Sequence, residues 1–321
     1  MAAAAQIASE LTVARRAMAC EFSIRFPRGV PHAVDAALAA LDEIDRQESR
    51  LSVFLGDSLL SRLNRDAAAG ETLADADLFN LLRLAVDLSR ATGGAFDAAT
   101  GKLLRAWGFQ GGPRRVPPEP VLQAALAESG SRHVLLDPAR RGVFFRRPVE
   151  FNLGAIGKGY AIDRAVLLLG RDHAVPSVLV SGGQSSLRAL GTPPGEPRGW
   201  KVEIGDPSGG SRPVARVHLR NRALGTSGAA NQFFESGGRR WGHILDPRTG
   251  WPAAQLAGAS ALAPTAAEAD ALSTAFFVMG AEAAREFCRR HPGIGAVLVH
   301  AGNNGTRRVE LVAAPEAEVL R

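Results

Sequence analysis

Apolar residues recur at helical spacing in two stretches of the first hundred residues. The stretches are residues 32–48, with Val34, Leu38, Leu41 and Ile44, and residues 78–88, with Leu78, Leu81, Leu82, Ala85 and Leu88. Each spacing gives a helix one apolar face. Between them, Asp57 or Ser58 is a candidate N-cap for a short helix through Leu63, and Gly93-Gly94 ends the second long helix.

Alternating or β-rich runs predict strands along most of the remaining chain. They lie near residues 21–26, 133–137, 142–151, 176–181, 200–205, 214–220 and 294–300, with a shorter one from Trp241 to Leu245. Because helices and strands do not alternate regularly, we expect an α+β fold with mixed, largely antiparallel sheets flanked by helices. Glycine and proline mark surface loops at 110–119 and 191–213. We expect an N-terminal arm over residues 1–17 and a single domain over residues 18–321.

Composition and charge narrow the class of protein. Of 321 residues, 46% are hydrophobic and 22% charged, which is typical of a soluble globular chain. The net charge is +6, but the arginines are scattered pairs without interleaved aromatic residues, so we expect no nucleic-acid partner. The positive net charge leaves a small anionic ligand as an alternative partner. Cys20 and Cys288 are too few for a disulfide framework or a zinc cluster.

The first twenty residues contain no apolar signal segment, because Arg15 and Arg16 interrupt the region where one would lie. No apolar run elsewhere is long enough to span a bilayer. We therefore expect a cytoplasmic protein, or a periplasmic or membrane-associated one if the true N-terminus precedes this sequence.

The segment "FNLGAIGKGYAID" (151–163) joins a predicted strand to a helix through three glycines, with Lys158 at the turn. It fits neither the Walker pattern nor the dinucleotide fingerprint. Small residues here bring backbone N–H groups and a helix N-terminus close to an anion. The alternative is a tight strand-to-helix connection with no ligand.

In "EADALSTAFFVMG" (268–280), Asp270, Ser273 and Thr274 fall at i, i+3 and i+4 and share one helical face. Hard oxygen donors of this kind suit Mg²⁺, which shares phosphate oxygens with its substrate. The alternative is an N-terminal cap followed by a polar stripe on a core helix.

The stretch "RRWGHILDPRTGWPA" (239–253) holds a candidate general base, His243. A histidine can accept a proton from an attacking hydroxyl near neutral pH. The alternative is a structural histidine that bonds its own turn. Asp246 either orients His243 or only builds the Asp-Pro turn. A further carboxylate, Asp97, lies in the glycine-flanked segment "GGAFDAATG" (93–101).

Together these segments resemble one family. "LSVFLGDSLLSRLN", "GGAFDAATGKLLRAWGF", "FNLGAIGKGYAIDRA", "SGGQSSLRALG", "LGTSGAANQFF", "HILDPRTGWP" and "ADALSTAFFVMG" occur in the order and at the spacing of the ApbE family. The resemblance runs from about Met18 to Val299. It implies an FAD:protein FMN transferase that takes FAD as substrate, requires Mg²⁺, moves FMN to a threonine hydroxyl of an acceptor protein, and releases AMP.

The resemblance also implies roles for individual residues. The FAD site would be lined by Met18, Phe54, Ala95, Phe96, Asp97, Asn152, Lys158 and Ile244. The metal would be surrounded by Ala155 (through its carbonyl), Asp270, Ser273 and Thr274. Lys158 would neutralise charge on the phosphate oxygens, and His243 would act as the base.

The chain departs from the family's usual residues at five places: Cys20 in Met18-Ala19-Cys20, Phe54, Asn152, Gln184, and Ala229 with Ala230. These changes leave two alternatives open. One is a Mg²⁺-dependent FAD pyrophosphatase that releases FMN and AMP. The other is a non-enzymatic FAD-binding maturation accessory protein. The identity of the acceptor does not follow from the sequence.

Overall fold

The helices and strands are defined for residues 10–207, 209–228, 232–300 and 307–320, which a computed structural model describes. Within these ranges the α-helices are α1 (Ala33–Leu51), α2 (Leu59–Asp66), α3 (Ala76–Ala91), α4 (Gly101–Ala106), α5 (Glu119–Ala127), α6 (Gly157–Arg171) and α7 (Ala266–Arg290). The strands in the first half are β1 (Glu10–Ala17), β2 (Cys20–Pro27), β3 (Thr72–Leu73), β4 (Val134–Asp137), β5 (Gly142–Phe145), β6 (Val178–Gly182), β7 (Ser186–Leu190) and β8 (Trp200–Ile204). Those in the second half are β9 (Ala215–Leu219), β10 (Ala223–Gly228), β11 (Phe233–Ser236), β12 (Arg239–Gly242), β13 (Gly258–Ala263), β14 (Gly295–His300), β15 (Arg308–Val312) and β16 (Ala317–Val319).

The largest sheet has eight strands in the order β1-β2-β6-β7-β10-β13-β14-β15. Each neighbouring pair in it is antiparallel. Two three-stranded sheets, β16-β9-β8 and β3-β5-β4, and a two-stranded sheet, β11-β12, complete the strands of the described residues. The predicted α+β class with largely antiparallel sheets is confirmed.

The central strands of the large sheet are buried on both faces, which explains their continuous apolar runs. In β6, Val178 and Val180 pack into the core beneath the helices, whereas Leu179 packs into a second core with Trp200 and Val217 of the small sheet. Because successive side chains point to opposite faces, one strand serves two cores. The protein thus has helices on one face of the large sheet and the β16-β9-β8 sheet on the other.

Helix α7 is fixed at its first turn by residues distant in sequence. Thr265 and Glu268 form a capping box. The Asp163 carboxylate on α6 accepts from the backbone N–H groups of Ala266 at 2.8 Å and Ala267 at 2.9 Å. At Gly159 an added Cβ would collide with the backbone of Ala266, so α6 and α7 touch where only glycine fits.

Residues 10–17 were expected in a separate N-terminal arm, and for them that expectation is wrong. They form β1, which pairs with β2 over eight residues from Glu10 opposite Pro27 to Ala17 opposite Cys20. Met18 and Ala19 close this hairpin with φ angles of 47° and 61°. The strand was missed because it is an edge strand with one face on the core, so its polar positions look like those of a surface segment.

Two predicted strands are shorter than expected. The strand predicted over 142–151 ends at Phe145, and Pro148 follows, which cannot donate to a strand ladder. The strand predicted over 241–245 ends at Gly242, and Leu245 forms only an isolated bridge to Pro252. His243 therefore lies just beyond a strand end. Among the described residues, no helix has the length and apolar character needed to cross a bilayer.

Candidate active site

Lys158 lies at one end of the large sheet, on the first turn of α6. Its Nζ donates a hydrogen bond of 2.5 Å to the Ser185 hydroxyl in the turn between β6 and β7. The ammonium is therefore held at a helix N-terminus, where the macrodipole adds further positive potential. This end of the sheet is suited to an anionic group.

Asp270 lies on α7 and faces the same turn of α6. Its Oδ2 accepts from the backbone N–H of Gly159 at 2.8 Å, and the side chain is 7% exposed. Burial raises the pKa of Asp270 to about 6, although the Lys158 ammonium and a hydrogen bond from the Ser186 hydroxyl act in the opposite direction. A carboxylate in this position is stabilised in its ionised form by any additional cation.

Three hydroxyl groups surround the next turn of α7. Ser227 Oγ on β10 lies 2.9 Å from Ser273 Oγ and 3.1 Å from Thr274 Oγ1. Ala155 lies half-buried in the segment immediately before α6. The donor set is thus one carboxylate plus neutral oxygens, which is the chemistry that Mg²⁺ prefers.

The described residues contain no cluster of three or more His, Cys, Asp or Glu side chains that could hold a metal. A single ionised ligand suits an ion that is shared with substrate phosphates. The carboxylate of Asp270 and the hydroxyls of Ser273 and Thr274 therefore fit Mg²⁺, and the part of the Ala155 carbonyl stays a prediction.

His243 is held in one tautomer by the backbone. Its Nδ1 lies 3.0 Å from the carbonyl oxygen of Gln232, and its own backbone N–H donates to the same oxygen at 3.1 Å. A carbonyl can only accept, so Nδ1 carries the proton in the neutral ring. The Nε2 lone pair then faces away from this bond and has no protein partner among the described residues. The ring is positioned as a proton acceptor.

The electrostatic environment keeps His243 neutral. Burial lowers its pKa, the bond to the Gln232 carbonyl raises it, and the Arg114 and Lys158 cations lower it further. Lys158 thus acts on the pKa of both His243 and Asp270. The structure brings the predicted base, the predicted cation and the predicted metal carboxylate into one site.

Asp246 builds the turn and does not touch His243. Its carboxylate accepts a bidentate pair from Arg248, at 2.8 Å for each oxygen, and a bond from the Arg248 backbone N–H at 2.9 Å. The same turn is anchored by Trp107, whose indole N–H donates to the Gly250 carbonyl at 2.8 Å. Of the two roles left open for Asp246, the structure supports the turn.

Asp97 is occupied by internal hydrogen bonds. Its two oxygens accept from the Ser89 hydroxyl at 2.8 Å, the Ser131 N–H at 2.8 Å, the Ser131 hydroxyl at 2.7 Å and the Ala99 N–H at 2.8 Å. A carboxylate with four donors has little capacity left for a ligand. In this structure Asp97 orders the "GAFD" turn, and its role at the FAD site stays a prediction.

We expect Asp97→Ala to lower the free energy of unfolding by about 3 kcal/mol, because four donors lose a charged acceptor. Urea denaturation measures this loss. Asp57→Ala removes an exposed carboxylate from a loop and should change stability by less than about 0.5 kcal/mol. Wild-type stability of Asp97→Ala together with lost FAD binding would assign Asp97 to the ligand instead.

The remaining predicted FAD residues occupy different environments. Phe54 is 74% exposed in the loop between α1 and α2, so its ring can cover a planar ligand. Phe96 and Ala95 are buried in the core and can meet a ligand only through their backbone. Ile244 is 8% exposed and follows His243 directly, and Met18 is partly buried in the β1–β2 turn.

Asn152 connects two parts of the site wall. Its backbone N–H donates to the Ala98 carbonyl at 2.7 Å, next to Asp97, and its Oδ1 accepts from the Gly154 N–H at 2.8 Å. Its Nδ2 donates to Gln110 Oε1 at 2.7 Å. The amide therefore links the "GAFD" turn to the segment that leads to Ala155 and Lys158.

The residues that support the site lie in segments that the sequence singles out, but none of them was predicted individually. Ser185 holds Lys158, Ser186 bonds Asp270, Ser227 bonds the two hydroxyls of α7, and the Gln232 carbonyl fixes His243. For Ser185 and Ser186, the available sequence signal was the pair of serines that follows two glycines in "SGGQSS". Gln184 is exposed in that same turn, whereas Ala229 and Ala230 lie outside the described residues.

Comparison with known proteins identifies the family. The model of the ApbE family matches residues 18–298. This chain belongs to the ApbE family. The FAD:protein FMN transferase of Treponema pallidum is 36% identical over 283 residues, covering 81% of this chain and 77% of that protein. The Salmonella typhimurium protein of the same name is 29% identical over 266 residues, covering 80% and 74%.

Solved ApbE structures share the fold over nearly the whole chain. An ApbE protein from Thermotoga maritima superposes with a TM-score of 0.85 at 29% identity and covers 95% of this chain and 97% of its own. The apo flavinyl transferase ApbE of Pseudomonas stutzeri gives a TM-score of 0.82 at 27% identity and covers 95% of each chain. The family and the fold expected from the sequence motifs are both confirmed.

Proposed function

We propose that this protein transfers FMN from FAD to a threonine hydroxyl of an acceptor protein in a Mg²⁺-dependent reaction that releases AMP. The transfer of a flavin is supported by membership of the ApbE family and by relatives named FAD:protein FMN transferase. One observation supports the mechanism: the Lys158 ammonium lies close enough to His243 and to the buried carboxylate of Asp270 to lower the pKa of both groups. This proximity supports a site in which a base, a cation and a metal ligand act together.

In the proposed step, the threonine Oγ attacks the phosphorus atom of the FMN half of FAD. The bond from that phosphorus to the bridging oxygen breaks, and AMP leaves with the bridging oxygen. His243 Nε2 takes the hydroxyl proton while its Nδ1–H stays bonded to the Gln232 carbonyl. Lys158, already held by Ser185, is available to pair with phosphate oxygens.

Asp270, Ser273, Thr274 and the Ala155 carbonyl would hold Mg²⁺. When bound, the ion would neutralise charge on the diphosphate oxygens. The buried Asp270 carboxylate supports this assignment, because ionising it in a desolvated position favours a nearby cation. The neutral hydroxyls of α7 and of Ser227 supply donors without adding charge.

We expect the protein to bind FAD at least tenfold more tightly than FMN. The proposed site runs from the exposed ring of Phe54 to Lys158 and Asp270, and FMN lacks the second phosphate and the adenosine that would occupy part of it. Quenching of flavin fluorescence in parallel titrations measures both affinities. Equal affinities would show that the site recognises only the FMN half.

Product analysis tests the reaction class. The protein is incubated with FAD, Mg²⁺ and a cell lysate, and small molecules and proteins are then separated. The proposal expects AMP together with a covalently fluorescent protein band. Free FMN with AMP and no labelled protein would indicate a pyrophosphatase in which His243 activates water, and unchanged FAD would indicate a binding protein.

A further inference from the structure

A second cleft lies at the end of the large sheet opposite the candidate active site. Its walls are the turn between β2 and α1, the residues before β6, the start of the β7–β8 connection and the turn between β9 and β10, and it encloses about 420 Å³. The active-site residues Ser185, Ser186 and Ser227 lie at the other ends of these strands. Since β6 has five residues, the two sites are about 17 Å apart along the strands.

The cleft is lined by hydrogen-bond donors and two arginines. Arg28 and Arg220 both line it, and no carboxylate does so among the described residues. Neither arginine forms an ion pair with any carboxylate of the described residues, whereas Arg25, Arg216 and Arg222 nearby each pair with a glutamate. With no acid among the lining residues, the two exposed guanidinium groups give this cleft a local positive potential.

A buried hydroxyl in the cleft also has no partner. Ser177 is 5% exposed, lines the cleft, and its Oγ forms no hydrogen bond in the protein. An unsatisfied buried hydroxyl costs roughly 1–3 kcal/mol, so such groups in native proteins normally meet a ligand or water. The Oγ has almost no accessible surface, so a ligand in the cleft can meet it only if the Ser177 side chain turns toward the cleft.

The backbone around the cleft is rigid. The Asn221 side chain, on a residue with a φ of 50°, accepts a hydrogen bond of 2.7 Å from the Gly191 N–H. Gly191 itself lies so close to the Pro176 carbonyl that a Cβ would collide with it. The cleft is therefore formed before any ligand arrives, which lowers the entropic cost of binding.

We propose that this cleft binds a small phosphorylated molecule, with phosphate oxygens accepting hydrogen bonds from Arg28 and Arg220, and from the Ser177 hydroxyl once that side chain turns toward the cleft. Arginine's planar fork matches phosphate geometry in a bidentate manner, and two such groups with no acid beside them disfavour a cationic or neutral ligand. The volume is in the range of small-molecule sites. The proposal does not depend on flavin transfer, because none of these residues belongs to the candidate active site.

The test uses isothermal titration with pyrophosphate and with inorganic phosphate, in EDTA, on four proteins. These are the wild type, Arg28→Gln/Arg220→Gln, Lys158→Ala, and the control Arg289→Gln/Arg290→Gln, whose arginines pair with Glu286 at the end of α7. We expect Arg28→Gln/Arg220→Gln to weaken binding at least tenfold, while Lys158→Ala and the control retain a site of wild-type affinity. Unchanged binding in Arg28→Gln/Arg220→Gln, with loss in Lys158→Ala, would place the anion in the active site and overturn the proposal.

Ser177→Ala separates a binding role from a structural one. Since the hydroxyl has no protein partner, its removal should leave Tm unchanged or raise it, yet weaken pyrophosphate binding at least threefold. A lower Tm with unchanged pyrophosphate affinity would contradict the proposal. A last arm compares glycerol 3-phosphate with vesicles that contain phosphatidic acid. Binding to the vesicles alone would identify a lipid headgroup site and overturn the assignment to a small soluble molecule.

Discussion

His243→Ala is expected to lose about a hundredfold to ten-thousandfold in the rate of flavin transfer while FAD affinity and Tm stay near the wild-type values. Removing a general base costs this much in rate and little in ground-state binding. The base role depends on Nε2, which stays unprotonated because Nδ1 donates to the Gln232 carbonyl. Rates are measured under single-turnover conditions with a threonine acceptor, and FAD affinity is measured in parallel.

His243→Asn is the matched control for the structural role of this side chain. The asparagine amide N–H can replace the Nδ1–H bond to the Gln232 carbonyl, but it cannot accept a proton from a hydroxyl. If His243 is the base, both variants are inactive. Recovery of activity in His243→Asn, or loss of FAD binding and stability in His243→Ala, would leave only the turn-building role.

The wild-type rate should depend on pH through the same ring. Burial and the Arg114 and Lys158 cations lower the pKa of His243, so the neutral, proton-accepting form persists below the usual histidine range. The rate should therefore be level near neutral pH and fall as the pH drops through this lowered pKa. The residual rate of His243→Ala, measured at saturating Mg²⁺ so that Asp270 stays ionised, should lack that acidic limb. A wild-type rate that rose on acidification would rule out a neutral base.

Asp270→Ala is expected to abolish Mg²⁺-dependent turnover while the protein remains folded. Asp270 is the ionised member of the proposed ligand set, and the hydroxyls of Ser273 and Thr274 bind Mg²⁺ too weakly without it. Turnover is measured across a Mg²⁺ titration, and direct metal binding is followed by the paramagnetic resonance of Mn²⁺. Circular dichroism confirms that the fold is retained.

Asp270→Asn keeps an oxygen that can accept from the Gly159 N–H and removes only the charge. It should resemble Asp270→Ala in metal binding and the wild type in stability. Ser273→Ala should retain measurable turnover with a raised Mg²⁺ requirement. Wild-type turnover of Asp270→Ala at limiting Mg²⁺ would show that the metal assignment is wrong.

The parts of the fold that could be predicted are those whose signal is local. The apolar face of α1 and the N-cap Ser58 of α2 can each be recognised from a short stretch of sequence. Both helices form where they were expected. Strand β1 was missed because its alternation is weak: Arg16 lies on its exposed face, and Arg15 lies on its inner face, where it pairs with Asp42 of α1. An edge strand is specified by its neighbour as much as by its own residues.

The candidate site likewise contains residues that a local signal predicts and contacts between distant residues that no local signal predicts. Lys158, His243 and Asp270 stood out because their chemistry is unusual at their positions in recognisable motifs, and the structure brings them together. The hydrogen bonds of Asp97 could not be predicted, because its partner Ser131 lies 34 residues away and gives no local signal. The role of Asp163 in holding α7 also depends on a contact across more than one hundred residues.

The most direct test of the account is to locate the flavin on the acceptor. The protein that becomes fluorescent in lysate after incubation with FAD and Mg²⁺ is isolated, digested and sequenced by tandem mass spectrometry. Our account predicts FMN in a phosphoester on a threonine, one AMP released for each FMN attached, and no labelling when that threonine is replaced by valine. Flavin on another residue type, or FAD converted to free FMN and AMP with no labelled peptide, would contradict it.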